Sequence, residues 1–120
     1  MDAAAKSILL VVDDESAVCR VMRRLLGRRF DEVVTVETPA DAETVLASRP
    51  VTHIVCDQCL GPGRPTGCEI AGGWKAAHPT IRRVVILTGV DIAGLTAPPG
   101  VDRLLPKTTD PDELAALLLA

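Results

Sequence analysis

Four apolar segments of this chain each run into a residue that can handle a phosphoryl group or a cation. Ile8–Val12 leads into Asp13 and Asp14, His53–Cys56 into Asp57, Val84–Leu87 into Thr88, and Leu104–Pro106 into Lys107. Gathered in one place, three carboxylates, a hydroxyl and an ammonium describe a site for a hard cation beside a phosphoryl group. Mg2+ takes oxygen ligands and keeps several waters, so two carboxylates from different strands and a third through water suit it. A carboxylate can serve as phosphoryl acceptor, and Asp57, alone at the end of the third strand, is the candidate nucleophile. Lys107 offers a point charge to phosphate oxygens, and the Thr88 hydroxyl offers a donor. Each residue also has a plainer reading. Asp14 could cap the following helix, Thr88 could bond to backbone, and Lys107 could be a solvated surface lysine.

For these groups to meet, the strands must be parallel and end on one side. The apolar runs are continuous rather than alternating, which indicates strands covered on both faces by helices. Right-handed crossovers then place every strand end at the same edge, where ligands bind in such sheets. The connecting segments fit this arrangement. Ser16 to about Leu26 reads as a helix with Val18, Val21 or Met22, and Leu25 at helical spacing and Gly27 as its stop. Glu32–Val36 reads as a strand. Thr38–Pro39 reads as an N-cap and first helical residue of a helix reaching Ser48. Residues 61–67 hold three glycines and two prolines and read as loop. Cys68 to about Ala77 reads as a weaker helix, because Gly72 and Gly73 each cost roughly 1 kcal/mol relative to alanine. Between 89 and 100 the glycines and prolines leave room only for a short or irregular fourth helix. Asp110-Pro111-Asp112-Glu113 supplies a full N-terminal capping signal for a last helix running to Ala120. The expected fold is α/β, a three-layer doubly wound sandwich around a five-stranded parallel sheet, in a single domain spanning residues 1–120.

Composition narrows the function. The chain has 120 residues, a net charge of −3, and only Trp74 and Phe30 as aromatics, so the core is aliphatic. The mild acidity argues against a nucleic-acid surface, whose affinity comes from Lys and Arg on phosphates. No run approaches the roughly 20 apolar residues of a membrane span, and no signal peptide opens the chain, which points to the cytoplasm. Cys19, Cys56, Cys59 and Cys68 then read as reduced thiols, and Cys56-x-x-Cys59 has no second pair to make a zinc site. Arg20, Arg23, Arg24, Arg28 and Arg29 read as a solvated helix face, with partner docking as the alternative. Trp74 reads as core, and Glu15 and His53 as structural.

Val11-Val12-Asp13-Asp14-Glu15, Val55-Cys56-Asp57, Leu87-Thr88-Gly89 and Leu105-Pro106-Lys107 together resemble the receiver domain of two-component response regulators, the CheY-like variant of the flavodoxin-like architecture. The four segments match in order and placement across essentially the whole chain. The resemblance implies Asp57 as the phosphorylation site. It implies Mg2+ (or Mn2+) held by Asp13, Asp14, Asp57 and the backbone carbonyl of Cys59, with Thr88 and Lys107 on the phosphoryl group and Gly89 leaving it room. It further implies a histidine kinase or histidine phosphotransfer protein as donor and an output partner or effector domain beyond this chain. Such a domain is a phosphoacceptor switch rather than an enzyme.

The chain also departs from the family pattern. Thr108 follows Lys107 where the family usually has a proline after a cis bond; a non-proline cis bond costs about 2.5–4 kcal/mol, which leaves the state of this bond and the aim of Lys107 open. Leu104 replaces the usual switching aromatic. Cys59 and Val90 stand two residues beyond the acceptor and the threonine, where neither places water well, which implies slow hydrolysis. The irregular 89–100 segment is expected to carry the response in place of the ring. Two other functions share parts of the pattern. A small phosphohydrolase with an aspartate nucleophile would need an acid two residues after Asp57, where Cys59 stands. A flavin-binding module would need a Ser/Thr/Gly-rich loop after the first strand, where Asp13-Asp14-Glu15 would repel phosphate.

Overall fold

The computed structural model describes residues 6–89 and 96–120. Its elements follow in the order β1 (Ile8–Val12), α1 (Ser16–Leu26), β2 (Glu32–Val36), α2 (Pro39–Ser48), β3 (His53–Asp57), α3 (Gly67–Ala71), α4 (Trp74–Ala77), β4 (Arg83–Thr88), β5 (Arg103–Pro106) and α5 (Pro111–Leu119). The strands form one all-parallel sheet in the order β2-β1-β3-β4-β5.

The continuous apolar runs fill two cores at once, because side chains alternate across a strand. Leu9 and Val11 of β1, Val55 of β3, and Val85 and Leu87 of β4 face one layer. There Leu26 of α1, Leu114, Ala115 and Leu118 of α5, and Phe30 close over them. Ile8, Leu10, Val12, Ile54, Cys56, Val84 and Ile86 face the opposite layer, built on Ala42 and Leu46 of α2, Ala71 of α3 and Trp74 of α4. Burying each such Leu, Ile or Val is worth about 1.5–3 kcal/mol. The three inner strands are therefore held at both faces, which fixes where their carboxyl ends lie.

Two helix features differ from the sequence pattern. In α1 the buried residues are Cys19 and Leu26, while Val21 and Leu25 are about half exposed. Residues 19, 22 and 26 are as well spaced for one helix face as 18, 21 and 25. Residues 68–77 are not one helix but two short ones. A glycine pair interrupts them, and Gly100 (φ 87°) is pressed onto the break. A Cβ on Gly100 would stand 2.1 Å from the Gly72 carbonyl oxygen. Trp74 is core as expected, and its indole N–H donates to Glu43 (2.7 Å). The expected short or irregular fourth helix falls largely on residues 90–95, which with Val90 lie outside the described residues. No helix among the described residues is long and apolar enough to cross a membrane.

Several polar side chains pin the sheet. Asp102 accepts the Val84 N–H (2.8 Å) and pairs with Lys75 (3.0 Å). These bonds hold its carboxyl below the usual range against the opposing effect of burial. Thr38, Thr66 and Asp110 cap α2, α3 and α5, with a reciprocal Glu69 bond completing the box at Thr66. His53 is buried against Phe30 and beside the Thr52 hydroxyl (2.7 Å).

Candidate metal and phosphoryl site

The strand order places β1 and β3 side by side at the centre, where the chain winds outward in both directions. This is the switch point at which open α/β sheets form their crevice. Asp57 ends β3 there, buried to 3 % exposure. Asp13 follows β1 one residue past its ladder, and its N–H donates to Val36 (3.1 Å) to keep that line. Its Oδ1 accepts the Glu15 N–H (2.9 Å). Glu15 is the N-cap of α1 and makes no side-chain capping bond. The capping alternative for Asp14 is thereby removed, and Asp14 is left exposed at the mouth of the crevice. Carboxylate oxygens of Asp13, Asp14 and Asp57 lie within 4.8 Å of one another.

From the other side, β4 and β5 bring the hydroxyl and the ammonium. Leu87 pairs with Asp57, so Thr88, buried, ends β4 one step further along. Thr88 pairs with Pro106, and its carbonyl accepts the Lys107 N–H (2.9 Å). That places Lys107 Nζ 2.9 Å from Asp57 Oδ2 and 3.7 Å from Glu15 Oε1. The Lys107–Thr108 peptide is trans, and the lysine still reaches Asp57. Among the described residues, a Cβ on Gly89 would meet nothing nearer than Lys107 Cδ at 3.9 Å.

The loop after Asp57 is fastened to the strand end. The Gln58 carbonyl accepts the Gly67 N–H (2.9 Å), and its side-chain oxygen accepts the Cys68 N–H (2.9 Å). Gly67 is required by contact: a Cβ there would stand 2.4 Å from the Asp57 carbonyl oxygen. Cys59 is exposed two residues past Asp57, with its N–H 3.5 Å from Asp57 Oδ1.

The electrostatics follow from this crowding. Burial pushes the Asp13 carboxyl up to about 6, and the fields of Asp57 and Asp14 add to it, while the Glu15 N–H and Lys107 oppose. Burial works against charge on Lys107. The hydrogen bond and field of Asp57, with Asp13 and Glu15, outweigh it and raise the lysine's pKa. Anionic oxygens this close favour a divalent cation, and three hard carboxylates suit Mg2+ or Mn2+ in donor type.

The fold and the sequence have clear counterparts. The structure superposes on the response regulator receiver domain protein of Clostridium thermocellum with a TM-score of 0.79, 23% identity, and coverage of 94% of this chain and 91% of that one. A response regulator of Burkholderia pseudomallei, solved with a phosphorylated aspartic acid, calcium ion and citrate, gives 0.78 at 22% identity over 93% of this chain and 66% of that one. In sequence the chain is 35% identical to the hydrogenase transcriptional regulatory protein HoxA of Cupriavidus necator, over 91% of this chain and 23% of that protein.

The chain matches response regulator receiver domains in fold and the corresponding part of response regulators in sequence.

It is also 32% identical to the alginate biosynthesis transcriptional regulatory protein AlgB of Pseudomonas putida, over 88% of this chain and 24% of that protein. The receiver domain thus spans about a quarter of the length of these curated relatives. No family model matches the chain. Receiver domains of this kind are signalling switches rather than enzymes in the ordinary sense.

Of the residues singled out by sequence, the receiver structure brings Asp13, Asp14, Asp57 and Lys107 directly together, with Thr88 at the adjoining strand end and Cys59 at the loop. Glu15, read as structural, stands in the site beside Lys107. Its position directly after Asp13-Asp14 was the available signal. Gln58 and Gly67, which fix the acceptor's backbone, gave no signal beyond the glycine itself.

Proposed function

We propose that this receiver domain is a phosphorylation-controlled switch with Asp57 as its phosphoacceptor. The observation that carries the reading is the position of Asp57: buried at the end of the central strand, clustered with two further carboxylates and held by Lys107 at 2.9 Å. A bound Mg2+ (or Mn2+) would supply charge neutralisation between an anionic nucleophile and an anionic donor. Asp13, Asp14 and Asp57, with the Cys59 carbonyl, are the residues to hold it. The carboxylate clustering and the Asp13 carboxyl pushed up to about 6 both fit a site completed by a cation.

In the transfer, a carboxylate oxygen of Asp57 attacks phosphorus as the donor's P–N bond breaks. The phosphoryl group moves to Asp57, and the donor imidazole leaves with a proton. Lys107 moves its charge from the free carboxylate onto a phosphoryl oxygen, and the Thr88 hydroxyl donates to another. Hydrolysis returns the Asp57 carboxylate and inorganic phosphate. The donor is a histidine kinase or a histidine phosphotransfer protein. The half-exposed Val21 and Leu25 lie on α1 beside Lys107, Thr109 and Pro111, and Arg20 and Arg24 flank them. An acidic amphipathic helix carrying the phosphohistidine fits that face. The output passes to an effector domain or partner, since the curated relatives extend well past the matched part. The domain works in the cytoplasm.

The phosphohydrolase reading lacks an acid two residues after Asp57, and the flavin reading meets a carboxylate cluster where phosphate would bind. The test is intact-mass measurement after incubation with acetyl phosphate and Mg2+. Wild type gains one phosphoryl group and Asp57→Asn gains none. Equal labelling of the two, or none on either, refutes the assignment.

A further inference from the structure

The loop that follows the acceptor carries one cation, Arg64, and its placement is specific. Gly61 (φ 116°) and Gly63 (φ 74°) turn the loop back on itself, and the Arg64 N–H closes the turn onto the Gly61 carbonyl (3.2 Å). The fold-back lays the arginine stem across Gly61. The point a Gly61 Cβ would occupy is 3.8 Å from Arg64 Cδ, 3.9 Å from its Nε and 3.6 Å from Asp14 Oδ2. Arg64 therefore stands within two van der Waals contacts of the exposed member of the carboxylate cluster. Its guanidinium is exposed and makes no ion pair among the described residues.

Charge at the site gives this cation a task. Asp13, Asp14, Asp57 and Glu15 surround the crevice, and Lys107 lies on the β5 side. With a divalent cation bound and all four carboxylates ionised, the site still holds one net negative charge. A phosphoryl donor is itself an anion and must approach that mouth from solvent. Arg64 sits at the rim beside Asp14, and its positive charge suits the oxygens of an incoming phosphoryl group.

We propose that Arg64 is the donor-recognition residue of this receiver, a rim cation that contacts the phosphoryl oxygens of the incoming donor in the encounter complex. It acts before transfer, so it sets how much donor is needed and not how fast bound donor reacts. The inference rests on the phosphoacceptor reading of Asp57. Its strength is that of an exposed charge, screened by salt. Charge at a focusing cleft raises local substrate concentration by modest factors of this kind.

The experiment compares wild type, Arg64→Met and Arg64→Lys in phosphorylation by acetyl phosphate with saturating Mg2+, followed by intact mass over a range of donor concentrations. Methionine keeps an apolar stem over Gly61 and removes the charge, while lysine keeps both. Arg64→Met should raise the half-saturating donor concentration about three- to fivefold at low ionic strength, leave the maximal rate within twofold, and lose most of wild type's salt dependence. Arg64→Lys, which keeps the charge, should stay within about twofold of wild type. Thermal melting of all three should coincide. An Arg64→Met profile identical to wild type overturns the inference, as does an equal defect in Arg64→Lys, which would assign the arginine to loop packing. In either case normal labelling of Asp57 leaves the acceptor assignment standing. A wild-type protein that takes no phosphoryl group at all overturns both.

Discussion

Replacing Asp13 by Asn should make the metal-free protein more stable at neutral pH, although it removes a residue of the site. Asp13 is almost fully buried beside two other carboxylates, and its pKa is pushed from 3.8 to about 6. The folded state therefore binds a proton more tightly than the unfolded chain. Between about pH 4 and 6 the folded state holds protons that the unfolded state has lost, so this group's contribution to stability falls as pH rises. Above pH 6 the full cost remains. Two pKa units at 1.36 kcal/mol each amount to about 3 kcal/mol. Asparagine is isosteric and its carbonyl can still accept the Glu15 N–H, so Asp13→Asn should recover about 2–3 kcal/mol at pH 7.5 and close to nothing at pH 4.

His53 complicates the raw profile. Burial first, then Arg82 and Arg83, lower its pKa to about 4, so its contribution rises with pH over nearly the same window. The two trends offset each other in wild type. Only the difference between Asp13→Asn and wild type isolates the carboxylate. Urea denaturation with EDTA at pH 4, 5, 6 and 7.5 provides that difference. Mg2+ at about 100 times its Kd should then stabilise wild type alone, by about 2.7 kcal/mol, and cancel the mutant's advantage. A variant no more stable than wild type at pH 7.5, or equally more stable at pH 4, would refute the electrostatic reasoning.

Three shorter predictions rest on contacts. Gly67→Ala drives a Cβ into the Asp57 carbonyl 2.4 Å away, so it should cost about 1–3 kcal/mol in denaturation and slow labelling of Asp57 by roughly tenfold or more; wild-type rates would show that the strand end is not positioned there. Gly100→Ala meets both a positive φ and the Gly72 carbonyl and should lose about 3 kcal/mol or more by urea titration, whereas Gly63→Ala meets the positive φ alone and should lose about 1–2 kcal/mol; equal losses would show that the contact with Gly72 costs nothing. Cys59→Asn replaces a weak thiol donor beside Asp57 with an amide, and should speed phosphate release from pre-labelled protein severalfold; an unchanged or slower rate would reject a water-positioning role.

The strands and the acceptor site were legible because both depend on local facts. A run such as Ile8–Val12, apolar at every position, can only be buried on both faces, and a parallel sheet then forces Asp13, Asp57, Thr88 and Lys107 to one edge. What escaped were contacts set by packing between distant segments. The division of residues 68–77 depends on Gly100 arriving at Gly72, which no local window contains. The choice of Cys19 and Leu26 over Val21 and Leu25 depends on how α1 is rotated against β1 and α5, when both sets satisfy helical spacing. Glu15 reads as structural in the sequence because its partner, Lys107, lies at the far end of the chain.

The two hydrogen bonds that the first turn of α3 donates to Gln58 separate two things that would otherwise be tied together. Residues 59–66 form a ring closed at its base, and the cost of enlarging such a ring grows slowly, about 0.6 kcal/mol for each doubling of its length. Segments of different length and charge can be exchanged within that ring while Asp57 and Gly67 keep their places. The clasp thus turns the rim of the site into an interchangeable cassette. A lineage, or a protein engineer, can change the length and charge of that loop while the end of β3 keeps its place.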